Sequence, residues 1–144
     1  MPAIATTAAE MISGMTPVLQ PGTFVFITTQ DPALVAALFA QAVSTVREAE
    51  GMSMLIPVEL AQETGLNVDH PMRCITLNVF SSLQGVGLTA AVSSALGESG
   101  IPCNMVAGFH HDHVFLPADM CDRAMQILTT LQNTAAENMK ATDA

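Results

Sequence analysis

Tryptophan and tyrosine are absent, and six Phe are the only purely hydrocarbon rings in 144 residues. Stacking on bases or sugars therefore has little to work with. Positive charge is nearly as scarce: Arg47, Arg73, Arg123 and Lys140 face 13 Asp and Glu, for a formal net charge of −9. Four scattered cations cannot neutralise a run of phosphates, which argues against nucleic acid as a partner and against anionic membrane surfaces. Cysteine is limited to Cys74, Cys103 and Cys121. An odd, widely spaced trio gives neither a disulfide framework nor a C-x-x-C pair, so buried reduced thiols and a cytoplasmic setting are expected.

Long apolar runs are missing as well. The most apolar window, 33–46, is about a third too short to span a bilayer, and Gln41 and Ser44 interrupt it. No basic residue precedes Arg47, so the start of the chain lacks the charged region of a secretory signal. Charged residues make up only 12% of the chain and hydrophobic ones 50%, which excludes a disordered polypeptide. The length suits one domain, or two very small ones that share a core.

Enzyme signatures are also lacking. There is no G-x-S-x-G and no P-loop, and Gly85-Val86-Gly87 has no third glycine where a dinucleotide fingerprint needs it. Cys103, His110 and Asp119 can be written as nucleophile, base and orienter, but spacing along a chain establishes no geometry. A non-enzymatic protein without a cofactor is expected.

What is present is an order of elements that occurs twice. A short helix is expected near Ala8–Ser13. Thr23–Thr29 is β-branched and aromatic and reads as a strand. Asp31 and Pro32 then supply a cap and a first helical residue for Ala33–Gln41. Val43–Glu48 and Met52–Ile56 flank a hairpin turn near Gly51, and Val58–Thr64 forms a short helix that Gly65 ends. Cys74–Phe80 alternates as the next strand. After the glycine loop, Leu88, Ala91, Val92, Ala95 and Leu96 make one helical stripe, closed by Gly97 and Gly100. Ile101 to about Phe109 is a strand, His110–His113 the turn, and Val114–Leu116 the return. Asp119 is expected to cap a last helix, with Met120, Ala124, Ile127, Leu128 and Leu131 on one face. Both halves read β-α-β-β-α, the α+β plan in which an antiparallel sheet carries its helices on one face. Thr16–Gln20 is expected to add an edge strand. The expected units are 12–68 and 69–134, with 135–144 a frayed tail.

The run from Gly85 to Pro102, GVGLTAAVSSALGESGIP, resembles the glycine loop, helix and Gly-Ile core of ACT domains. The stretch Asn104–Pro117, NMVAGFHHDHVFLP, resembles a subgroup of small bacterial tandem ACT proteins. Arg47–Gly51 and Leu55–Pro57 are similar to the N-terminal half of that subgroup. The likeness extends distantly to CASTOR arginine sensors. It implies two ferredoxin-like β-α-β-β-α-β units, an amino-acid ligand at an ACT–ACT interface, a homodimer, and a separate regulated protein.

The glycine loop has a chemistry of its own. Gly85 and Gly87 permit close backbone approach, and the helix from Leu88 aims unpaired amides and the positive end of its dipole at the loop. A carboxylate placed there gains hydrogen bonds without Arg or Lys. The candidate ligand-binding set is Gly85, Val86, Gly87, Leu88, Thr89, Asn104 and Glu48, with Asn78 and Glu50 as further partners for an α-amino group. The plain alternative for the glycines is tight strand–helix packing.

Two other readings stay open. With His111-Asp112 at the centre of the turn, His110 and His113 face each other and could share a transition metal. A pure interaction module would use the same sheets for assembly without any ligand. The ten Met are read as core filler.

Overall fold

The computed structural model describes residues 7–79 and 87–143. In chain order the elements are α1 (Ala8–Gly14), β1 (Thr16–Leu19), β2 (Phe24–Thr29), α2 (Pro32–Leu38), β3 (Ser44–Glu48), β4 (Gly51–Pro57), α3 (Val58–Glu63), β5 (Met72–Asn78), α4 (Leu88–Glu98), β6 (Asn104–Ala107), β7 (Asp112–Pro117) and α5 (Cys121–Asp143). Short 3-10 turns follow α2 and precede α5. The repeated β-α-β-β-α order is therefore present. By contact the chain divides into Pro21–Arg73 and a second unit made of 1–20 together with 74–144.

In the unit Pro21–Arg73, β4 lies between β3 and β2, both antiparallel to it. At the far side of β2, Phe24 pairs with Met72, the first residue of β5. Side chains alternate as pleating demands. Val25, Ile27, Met54 and Ile56 turn to the helices and form a core with Leu38 and Ala61. Phe26, Leu55 and Val46 turn the other way. The β3–β4 turn is Ala49-Glu50, and Gly51 sits at φ +150° where a Cβ would come within 2.9 Å of the Thr29 carbonyl. The proposed cap of α2 is in place: Asp31 accepts from the Ala33 amide at 3.0 Å, and Pro32 opens the helix.

In the other unit the strand order is β1-β5-β7-β6. The expected edge strand at Thr16–Gln20 is β1, which pairs antiparallel with β5 (Val18 opposite Thr76). The N-terminal segment thus supplies the strand that the second β-α-β-β-α run needs for completion. The helix-facing core joins Met11 and Met15 to Ile75, Leu77, Leu88, Val92, Leu96, Val114, Leu116 and Leu128. The stripe foreseen for α4 is the buried one, with Leu88, Val92 and Leu96 one turn apart.

Both α3 and α4 stop in the same way. Gly65 and Gly100 take positive φ, and the following amides reach back five residues, Leu66 to Ala61 at 2.9 Å and Ile101 to Leu96 at 3.0 Å. Orphan carbonyls at the helix ends are thereby satisfied.

Two expectations need correcting. Asp119 does not cap the last helix: it lies inside the 3-10 turn Ala118–Met120, for which Pro117 is the N-cap residue. The tail expected to fray from 135 continues as α5 to Asp143. Ala135, Ala136 and Met139 are half-buried, continuing the spacing of Leu128 and Leu131. Gln132 further fastens the helix by donating to the Ser13 carbonyl and the Thr16 hydroxyl.

Candidate functional site

The part of the unit 1–20/74–144 richest in polar chemistry is the end where β5 stops, α4 starts and β6 turns into β7. Gly87, Leu88 and Thr89 of the candidate set lie there, and Asn78, named as a further partner, ends β5 there. Gly87 is the N-cap residue of α4 in the left-handed region, φ +110°, and Leu88 is buried beneath it. Thr89 is exposed. Gly85 and Val86 lie outside the described residues. A Cβ on Gly87 would come within 2.5 Å of the Ala8 methyl, so this position needs glycine both for its backbone angle and for the approach of α1. Close packing thus accounts for Gly87, and a ligand at the neighbouring amides is compatible with it.

Asn104 is not brought to this place. It begins β6 opposite Phe115, away from the β6–β7 turn, and its side chain donates to the Phe115 carbonyl at 3.2 Å. It follows α4, whose 11 residues separate the helix start from its end by about 16 Å at 1.5 Å per residue. Asn78 closes β5 at the same end as the glycine loop and is exposed. Glu48 belongs to the other unit, at the end of β3, where it accepts a hydrogen bond from the Ser53 hydroxyl. Beside it a shallow groove of about 420 Å³ is lined by Thr29, Gln30, Val35, Arg47, Glu48 and Met52. Glu50 presents its backbone carbonyl to the Gln30 side chain at 2.9 Å.

The histidine hairpin turns two residues earlier than expected. Val106 pairs with His113 and Ala107 with Asp112, and the Gly108 amide donates to the His111 carbonyl at 2.8 Å. The central turn residues are therefore Phe109 and His110. His110 is at the exposed tip, edge-on to Phe109 at 5.1 Å, and does not face His113. Among the described residues no three His, Cys, Asp or Glu gather as a metal site. The Cys103, His110, Asp119 combination fails on geometry too: Cys103 packs against the helix-side core at the opposite end of β6 from the turn. Burial pushes its thiol pKa up, which leaves a poor nucleophile.

A polar network that sequence reasoning missed crosses the second face of the sheet. Thr76, only 5% exposed, is the buried polar side chain of β5. Gln20 donates to its hydroxyl oxygen at 3.0 Å, and His113 Nδ1 lies 2.9 Å from that same oxygen. The His113 ring reaches over Gly108, where a Cβ would stand 3.3 Å from Nε2. His111 Nδ1 donates to the Val79 carbonyl at 3.2 Å. Burial lowers the His113 pKa and His111 adds to the effect, while Asp112 opposes it. Asp112 is itself pushed above the usual carboxylate range by burial, against the pull of His113 and His111. By strand alternation its side chain shares the face of Val114, the one that carries the helices. The available signal was the alternation of Cys74, Thr76 and Asn78 opposite Ile75 and Leu77, which sets Thr76 on the second face.

Comparison with known proteins fits this architecture. A family model described as an ACT domain matches residues 6–73, and a second ACT-domain model matches 69–130. A Vibrio cholerae protein of unknown function, described as a possible transport protein, is 37% identical in sequence. The match covers 84% of this chain and 92% of that one, with a TM-score of 0.75. Aspartokinase alpha and beta subunits share 11% identity at a TM-score of 0.59, covering 81% of this chain and 97% of theirs. The ligand-free regulatory subunit of aspartate kinase from Thermus thermophilus shares 14% at a TM-score of 0.53, covering 80% and 95%. These last two show likeness of fold. A search of curated proteins finds no match.

Proposed function

The chain belongs to the ACT-domain family, and from that membership we propose that it is a non-enzymatic regulatory protein that senses an amino acid. Both detected domains are of the ACT type, a regulatory class, and no catalytic domain is detected. The observation that carries the reading is a contrast between the two strand-to-helix connections. At α2 the protein's own Asp31 carboxylate occupies the helix start. At α4 the N-cap residue is Gly87, which has no side-chain oxygen to offer the first-turn amides. Those amides and the dipole behind them suit a ligand carboxylate. Asp112, partly desolvated at the turn end of β7, is the carboxylate we assign to the ligand's ammonium group. This role replaces the one expected of Asn104, which stands at the far end of β6.

In this reading the protein works in the cytoplasm as a homodimer, a second subunit completes the site, and a separate protein reads the outcome. The ligand acts by favouring one arrangement over another, a population shift. A thermal-shift titration of the whole chain with each of the twenty amino acids tests it. A ligand that prefers the folded state raises Tm with concentration; one of the twenty is expected to do so, and Asp112→Asn is expected to weaken that shift. No shift from any at millimolar concentration overturns the sensor. The interaction module then stands, favoured by Phe26 and Val46, which are 47% and 55% exposed on the second face of β2 and β3. Among the described residues no helix is long and apolar enough to cross a membrane.

A further inference from the structure

We propose that His113 is a proton-controlled latch that ties the β6–β7 hairpin to β5 and, through Thr76, to Gln20 at the end of β1. The argument begins with the Thr76 hydroxyl. Its oxygen accepts from Gln20 Nε2 at 3.0 Å, so its own proton is available to the imidazole nitrogen 2.9 Å away. Cys74 Sγ is the other acceptor within reach, because Thr76 hydrogen-bonds to that side chain, but sulfur accepts weakly. Neutral His113, accepting at Nδ1, closes a chain of hydrogen bonds over three strands.

A proton on His113 removes that acceptor. Both ring nitrogens then carry hydrogen, and Thr76 must turn its hydroxyl away and accept from two donors at once. The added charge sits where burial already disfavours it. The ionisable groups around the ring are few. His111 opposes the proton and Asp112 favours it, both from the same hairpin. From β5 comes Cys74, whose own titration is pushed upward by burial. The residue that follows β1 is the uncharged Gln20, and β6 places Val106 directly opposite. The ring lies close over the backbone because the position beneath it is Gly108, where a Cβ would crowd Nε2.

Since His111 on the same hairpin holds the Val79 carbonyl, releasing the hairpin also slackens the end of β5. Acid therefore loosens this end of the unit before the core gives way. The latch is independent of any ligand, so its failure and the sensor's are separable.

Proton NMR of the unliganded wild-type chain supplies the first measurement: His113 is expected to titrate below 6.5, its ordinary value. Hydrogen exchange supplies the second. The Gln20 backbone N–H donates to the Cys74 carbonyl at 2.9 Å, and its protection, corrected for the intrinsic rate, is expected to fall between pH 7.5 and 5.5. In His113→Gln, whose side-chain oxygen can accept from Thr76 at any pH, that loss is expected to vanish. A titration at or above 6.5, or protection that falls equally in both proteins, overturns the latch. The wild-type titration decides the matter even if the variant folds poorly.

Discussion

From β3 onward the two units place the same parts 60 residues apart, and they part company at one joint before it. Gly51–Pro57 corresponds to 111–117, Ser44 to Asn104, and the turn Ala49-Glu50 to Phe109-His110. Even the burial sequence along 51–60 recurs along 111–120. The connection from first strand to first helix breaks the symmetry. Two residues, Gln30 and Asp31, join β2 to α2, whereas nine, 79–87, join β5 to α4. The short joint is closed on itself by an aspartate cap; the long one delivers a glycine N-cap and a longer helix. A duplicated frame thus keeps its packing while one copy is free to change its helix start, which is where ligand chemistry would be placed.

The shared packing makes the largest prediction. Leu55 and Phe115 occupy equivalent positions on the second faces of the strands of the two units, and both are almost wholly inaccessible. Truncating a buried aromatic costs about 3–5 kcal/mol, and a buried leucine about 2–5 kcal/mol. Phe115→Ala and Leu55→Ala are therefore expected to lose comparable amounts in urea denaturation. A loss below about 1 kcal/mol at either position breaks the equivalence.

The divergent joint gives the next two. Gly87→Ala introduces a methyl at φ +110° that meets Ala8, and a strained backbone of this kind costs about 1–3 kcal/mol. Asp31→Ala removes a cap worth about 1 kcal/mol. Denaturation midpoints should rank Gly87→Ala as the more harmful, and only Gly87→Ala should also disturb a ligand-induced shift in Tm. An Asp31 substitution that abolished the shift would move the site to the other unit, beside the Arg47 groove.

Much of the frame was legible because it rests on periodic burial. Leu88, Val92 and Leu96 declare their face by spacing alone, and Asp31-Pro32 announces a helix start. What escaped depends on register and on long-range partners. The hairpin at His110–His113 reads as a turn, yet its centre is set by which β6 residue meets which β7 residue. Those pairs follow from the 60-residue repeat: Glu48 opposite Gly51 implies Gly108 opposite His111. Thr76 reads as an ordinary strand threonine until Gln20 and His113 arrive from positions 56 residues before and 37 after it. Asn104 looked available for a ligand because distance along the chain does not reveal which end of a strand lies beside the start of a helix. The tail beyond Thr134 looked polar because its half-buried positions are Ala and one Met rather than Leu.

The smallest effect concerns the charge that separates the two hairpins. Where the first unit has Met52 opposite Arg47, the second has Asp112 opposite Ala107. Burial raises the folded pKa of Asp112 above its ordinary 3.8, and the two neighbouring histidines only partly compensate. The folded chain therefore holds this proton more tightly than the unfolded one. Stability from this group is full below pH 3.8 and declines as pH climbs through the folded pKa, so at neutral pH the ionised carboxylate is a net cost. Asp112→Asn removes that cost and is expected to raise the Tm of the unliganded chain slightly at pH 7, with the gain disappearing below pH 3.8. The same change deprives a ligand ammonium of its counter-charge, so a higher resting Tm should accompany a weaker response to the amino acid. Loss of both together would show that Asp112 is an internal structural partner, and the joint at α4 would then have to hold its ligand without it.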